Sequence, residues 1–332
     1  MKIAMITPWN VTCGIYTYSK ALSKAIADLG TDIYIVRLPR FGNKTPEILQ
    51  NVVDSIPIDK IDLIHIQHEY GLYKGLEGGF YGSLNTLGKP IVTTMHAVGN
   101  WELDRMIGNT STMIVHNKYC HRRLGHPEAT IIPHGTELCK TVPPEEAKKT
   151  YGIQPEAPIV GYFGYVSQYK GLEHLFDAMM KVPKAAALIA GGYIGPVTTY
   201  YVNLKQTSIQ LLPNRCQWIG TIPDDERATA FGAMDIMVYP SRFATESGAL
   251  LTVLGYGKAV ITSDLPPFKE KKTLGAVMTY TSIDNLTRKI KRLLRDDELR
   301  LKLEEGARRY AESVSWLKVA QMHLDLYKTI LS

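Results

Sequence analysis

Residues 235–264 read DIMVYPSRFATESGALLTVLGYGKAVITSD, and the organisation of the chain follows from this stretch. Asp235 to Tyr239 is a short apolar run ended by Pro240, which reads as a buried strand running into a loop. The loop carries Glu246, Ser247 and Gly248. An almost wholly apolar segment from Ala249 to Leu254, closed by Gly255 and Gly257, predicts a helix, and Ala259 to Thr262 predicts a second buried strand. A helix that opens on a small residue offers N–H groups and the positive end of its dipole to an anion such as a phosphate. A plain strand–helix–strand connection without a ligand fits the same letters equally well.

Outward from this unit, the same grammar recurs. In the first part of the chain, strand-like runs fall at Ile3 to Ile6, Ile33 to Val36, Leu63 to Ile66, Ile91 to Met95, Met113 to His116 and Thr130 to Ile132. Between the first two, Ile15, Tyr18, Leu22, Ala25, Ile26 and Leu29 recur at helical spacing before Gly30. After a proline-punctuated stretch the pattern restarts at Ile159 to Phe163, Ala186 to Ala190, Cys216 to Ile219 and Asp235 to Tyr239, and ends with Ala259 to Thr262 and Ala276 to Thr279. Strands alternating with amphipathic helices predict parallel sheets covered on both faces. The expected architecture is α/β, with two doubly wound domains facing across a cleft. Their bounds are residues 1–140 for the first, 141–158 for a linker and 159–314 for the second. Residues 315–332 form a last helix presenting Leu317, Ala320, Leu324, Tyr327 and Leu331 on one face.

Composition narrows the function. The 332 residues have a formal net charge of +6, without a block of like charges, so no dedicated nucleic-acid arm is expected. Mild basicity suits an anionic ligand, or a peripheral contact with a membrane surface. No apolar segment approaches the roughly 20 residues of a membrane span. The N-terminal run before Pro8 is too short for a secretion signal. The four cysteines, Cys13, Cys120, Cys139 and Cys216, lack metal-ligand or CxxC spacing, which suits reduced thiols and a cytoplasmic setting.

Three further constellations carry chemistry. WNVTCGIY, from Trp9 to Tyr16, is a loop with Gly14 at a helix start; one glycine is not a dinucleotide fingerprint, and the loop reads equally as a structural turn. FGYVSQYKG, from Phe163 to Gly171, sets Lys170 just after a strand, where an ammonium can meet a diphosphate; a solvated surface lysine is the plainer reading. His65, His68 and Glu69 in HIQHEYG, His96 in TTMHAVG and His134 in IPHGTE each follow a strand. They are expected at the carboxyl edge where open sheets bind ligands. None of these histidines pairs at the i, i+4 spacing of a metal site on a helix.

Taken in order, HIQHEYG, PIVTTMHAV, IIPHG, FGYVSQYKGLEHLFDAM, ESGALLTVLGYGKAVITSD and the late Ser315–Trp316 pair resemble group 1 (family 4) of the retaining glycosyltransferases. The resemblance runs over nearly the whole chain. It implies the GT-B fold, with the final helix crossing back to the first domain. It also implies a nucleotide-diphosphate sugar donor, of the GDP-mannose or UDP-glucose type, and a hydroxyl acceptor such as a glycan or glycolipid. His96 and Lys170 would be catalytic. Donor contacts would come from Gly14, Tyr165, Lys170, Gly220, Glu246, Ser247, Gly248 and Thr252. His68, Glu69 and His134 would lie on the acceptor side. No metal or cofactor is expected beyond the co-substrate, in keeping with the absence of a DxD sequence.

The chain departs from the family at two points. Tyr165 or a neighbour stands where an arginine is usual, and anchoring on Gly257 puts Ala244 and Thr252 where two glutamates are usual. Those departures keep open a non-catalytic sugar-nucleotide-binding partner subunit. A sugar-nucleotide epimerase of the same fold is also open, and an NAD-dependent enzyme is disfavoured by the missing glycine fingerprint.

Overall fold

The computed structural model describes residues 1–332 apart from Phe41 and Ile194. The chain divides into two compact units, Met1–Gly135 with Val314–Ser332, and Thr136–Ser313. Each is built on one six-stranded parallel sheet with flanking helices, the α/β doubly wound architecture read from the letters.

In the first unit the strands are β1 (Lys2–Thr7), β2 (Asp32–Arg37), β3 (Leu63–His68), β4 (Ile91–Met95), β5 (Thr112–Val115) and β6 (Thr130–Ile131), in the order β2-β1-β3-β4-β5-β6. In the second they are β7 (Ile159–Phe163), β8 (Ala186–Ala190), β9 (Cys216–Trp218), β10 (Ile236–Tyr239), β11 (Val260–Ser263) and β12 (Met278–Tyr280), in the order β12-β11-β10-β7-β8-β9. Central strands such as β3, β4 and β10 are buried along their whole length, which is why they read as unbroken apolar runs rather than alternations.

The strand order fixes where a ligand can sit. In each sheet the winding reverses once, between β1 and β3 in the first and between β7 and β10 in the second. At such a reversal the loops at the carboxyl ends of the two strands lead away on opposite faces and leave a crevice. The loops after β7 and β10 are the ones that hold Lys170 and Ser247.

Two expectations need correction. The expected linker, 141–158, is part of the second unit. Pro144 starts the helix Pro144–Thr150, Ala147 is buried, and the Lys148 ammonium meets Asp235 at 3.0 Å and the carbonyls of Pro155 and Ala157 at 3.0 Å. The prolines there set a helix start and not a tether. The final helix, Trp316–Leu331, lies against the helix Gly14–Asp28 within the first unit, but on a rotated face. Val319, Ala320, His323, Leu324 and Tyr327 are buried while Leu317 and Leu331 are exposed, and the Tyr327 hydroxyl lies 2.7 Å from His65 Nδ1.

Candidate active site

The second unit brings the expected donor-side residues to the carboxyl edge of β7 and β10. β7 ends at Phe163, and a single 3₁₀ turn, Gln168–Lys170, follows. Lys170 is partly buried, with its ammonium 4.7 Å from the centre of the Tyr169 ring. Gly171 closes the turn at φ +62°, and a Cβ there would stand 2.5 Å from the Pro240 carbonyl oxygen, so the turn is pressed against the loop leaving β10. That loop ends at the helix Gly248–Gly255, whose N-cap is Ser247; the Ser247 hydroxyl accepts from the Leu250 N–H at 3.3 Å. The N–H groups of the first helical residues, Gly248 and Ala249, have no acceptor inside a helix and carry the positive end of its dipole.

Glu246 takes a different part from the direct donor contact expected of it. Its side chain is 6 % exposed and pairs at 2.8 Å with the ammonium of Lys271, itself 3 % exposed. The other carboxylate oxygen accepts from the Ser247 N–H at 2.9 Å. Hence the Ser247 amide, expected to meet a phosphate, is already engaged by Glu246. Glu246 and Lys271 anchor the loop from within. Lys271 was missed because a lysine in the run PPFKEKKT reads as solvated; only the fold shows Phe268 and Lys271 on the buried face of their helix. Its pKa is raised by the Glu246 carboxylate and the Tyr310 ring in opposition to burial.

The remaining donor-side residues are dispersed. Gly220 follows β9 at φ +71° with open space around its Cα. Tyr165 is partly buried, and its carbonyl accepts from the Tyr162 hydroxyl at 3.0 Å. Thr252 lies one turn into the helix and its hydroxyl returns to the Gly248 carbonyl at 3.0 Å, a local bond in place of the carboxylate usual in the family.

In the first unit, Gly14 opens the helix after β1, and a Cβ built on it meets nothing within 4 Å. His96 follows β4. Its main-chain N–H donates to the His68 carbonyl at 2.9 Å, its Nε2 lies 2.9 Å from Gln67 Oε1, and its Nδ1 lies 3.4 Å from His116 Nε2. Tyr18 packs edge-on to His96, His134 and Trp316, with ring centres 4.8, 4.9 and 5.3 Å away. Burial, followed by the neighbouring imidazoles of His116 and His134, holds the His96 pKa well below its ordinary value. His96 is thus a neutral imidazole at pH 7. His134 is partly buried, with Nδ1 against the Gly135 carbonyl at 2.7 Å.

Strand parity corrects two of the histidines. His65 and Gln67 share one face of β3, and His65 is a fully buried mid-strand residue held by Thr94 and Tyr327. His68 lies on the other face with Ile64 and Ile66. It is fully buried, stacks on Tyr73 at 5.0 Å and stands 4.0 Å from buried Glu77. Neither is open at the edge, so the acceptor-side expectation for His68 does not fit. Glu69, partly buried at the N-cap of Tyr70–Tyr73, and His134 stay accessible. The period of two was available in HIQHEYG and would have separated Gln67, which touches His96, from His68.

A family model described as glycosyl transferases group 1 matches residues 144–310, half of the chain and nearly all of the second unit. The chain belongs to the group 1 glycosyl transferases. Among similar proteins of this family's type is a lipopolysaccharide core biosynthesis mannosyltransferase of Rhizobium meliloti, 31% identical over 161 residues, covering 45% of this chain and 44% of that protein. Another is the sulfoquinovosyl transferase SQD2 of Arabidopsis thaliana, 26% identical over 169 residues, 49% of this chain and 32% of that one. The match thus spans under half the length of these curated relatives. Among solved structures, sucrose-phosphate synthase from Thermosynechococcus elongatus superposes with a TM-score of 0.81 at 18% identity, covering 99% of each chain. Anabaena HepE in complex with UDP and glucose superposes at 0.82 with 16% identity, over 99% of this chain and 100% of that one. Both establish the shared fold of this group 1 glycosyl transferase. Among the described residues no helix is long and apolar enough to cross a membrane.

Proposed function

We propose that this chain is a retaining glycosyltransferase that moves a hexosyl group from a nucleotide-diphosphate sugar, of the GDP-mannose or UDP-glucose type, to a hydroxyl of a glycan, glycolipid or other polar acceptor. The observation that carries the reading is the convergence, at the winding reversal of one sheet, of Lys170 after β7 and the capped helix N-terminus after β10. A donor diphosphate gains negative charge as the sugar departs. An ammonium and a fixed pair of main-chain N–H groups stabilise that charge without reorganising, and we assign them this work in place of a metal ion. The acceptor oxygen arrives on the face that the diphosphate leaves. His96 keeps the catalytic role that the family resemblance implies, as a neutral imidazole whose ring is held by Gln67 and His116.

The mannosyltransferase relative and the HepE complexes with UDP and UDP-glucose support both donor types. Protein recovered with a peripheral membrane fraction would fit a lipid-linked acceptor. The direct experiment is a thermal-shift panel of UDP, GDP, ADP and their sugar conjugates, followed by transfer from the stabilising conjugate to an acceptor array in the presence of EDTA. Stabilisation by one sugar conjugate and metal-independent transfer are expected. Binding without transfer points instead to the partner-subunit reading that the Tyr165 and Thr252 departures favour, and isomerised donor points to an epimerase.

A further inference from the structure

Arg242 lies in the loop after β10, and its contacts reach the turn that carries Lys170 and the start of the helix that follows. Its main-chain N–H donates to the Tyr169 carbonyl at 2.7 Å, and its Nη1 reaches the Gln168 carbonyl at 3.4 Å. Its Cγ packs where a Cβ on Gly171 would be 3.3 Å away. Its Nη2 pairs with Glu173 Oε2 at 3.2 Å, just past the turn, and Glu173 Oε1 in its turn accepts from the Tyr200 hydroxyl at 2.8 Å. The turn has little of its own to hold it. Among the described residues, the bonds inside it run from Lys170 N–H to Ser167 at 2.9 Å and from Gly171 N–H to Gln168 at 3.2 Å.

We infer that Arg242 is a positioning residue for Lys170: it ties the β7 turn to the β10 loop so that the lysine ammonium and the helix N–H groups present one fixed geometry to a diphosphate. This rests on the donor reading above. The side chains of Arg242 and Glu173 are 43% and 32% exposed, so the pair adds little to global stability and its consequence is local placement. Lysine cannot substitute, because only a planar guanidinium spans a carbonyl and a carboxylate at once.

The test uses the full chain. Calorimetry with UDP, GDP and ADP identifies the nucleoside diphosphate that binds, and ligand-observed NMR measures the matching nucleoside. Arg242→Ala is expected to weaken the diphosphate by about tenfold, the low end of what one charge-assisted contact of Lys170 is worth, while nucleoside affinity stays within about twofold. Arg242→Lys recovers little of the loss, and Arg242→Ala added to Lys170→Ala costs nothing more. Additive losses in the double variant would mean that Arg242 grips the phosphate itself, and equal losses for nucleoside and diphosphate would mean general loosening. Either result, or an unchanged Arg242→Ala, overturns the inference. If the unaltered chain binds none of the three diphosphates, the donor reading falls and takes this inference with it. Normal diphosphate binding that ignores Arg242 sinks this inference alone.

Discussion

Replacing Lys271 with methionine isolates the anchor beneath the candidate site. The lysine and Glu246 are 3% and 6% exposed and 2.8 Å apart, and the second Glu246 oxygen holds the Ser247 N–H at the start of the helix Gly248–Gly255. Methionine fills the volume but leaves the buried Glu246 carboxylate without the Lys271 ammonium. Breaking a buried pair from one side costs about 3–5 kcal/mol. For a unit of this size each kcal/mol lowers Tm by about 2–4 °C, so a fall of about 6–20 °C is expected. The double variant Glu246→Gln/Lys271→Met removes both charges and their desolvation together, and should recover most of the loss. Calorimetry of the full chain reads both, with the second unit followed as its own transition. Nucleoside-diphosphate affinity should fall in the single variant alongside Tm, because the loop loses its hold. A Lys271→Met protein within about 2 °C of the parent, or a double variant no better than the single, would refute the claim that this pair anchors the loop.

Three other outcomes follow from the geometry. Gly171→Ala forces a side chain into φ +62° and to within 2.5 Å of the Pro240 carbonyl, so it should cost about 1–3 kcal/mol and weaken diphosphate binding; a protein as stable and as tight as the parent contradicts the pressed-turn description. Gly135→Ala places a Cβ 2.3 Å from the Trp316 ring, which must leave Tyr18 and His134, and tryptophan fluorescence of the native state should change; an unaltered spectrum speaks against that packing. Burial lowers the pKa of His323 to about 4 and that of His68 to about 3, so between pH 6.5 and 4 the unfolded chain takes up protons that the folded one refuses. Stability should therefore fall as pH drops through that window, by about 3 kcal/mol for His323 alone, and stay level above it. Raised pKa values of Glu77 and Asp104, each due first to burial, oppose the trend. Denaturant titrations at each pH measure the slope, and His323→Gln should flatten it; an identical slope in that variant removes His323 as its source.

The fold was legible because its central strands are buried on both faces. Among the described residues all twelve strands stand where the apolar runs fell, most within one or two residues, and the helix from Gly14 ends where Gly30, at φ +82°, stops it. What sequence did not yield depends on burial of polar groups. Lys271 and Lys148 sit among charged neighbours in the letters, and only tertiary packing buries each against one carboxylate. The two faces of HIQHEYG were legible by period, yet the neighbours that make Gln67 a partner of His96 and His68 a core residue come from other strands and helices. Arg242 carries no motif signal, since its contacts lie 69 to 74 residues earlier in the chain.

The central claim is that the β7–β10 crossover grips a diphosphate through Lys170. The most direct measurement is the affinity of the full chain for UDP, GDP and ADP, before and after Lys170→Ala. A charge-assisted contact predicts binding of one of them and a loss of about 10- to 100-fold on removing the ammonium, with the nucleoside itself little affected. Undiminished diphosphate affinity in Lys170→Ala would contradict the claim.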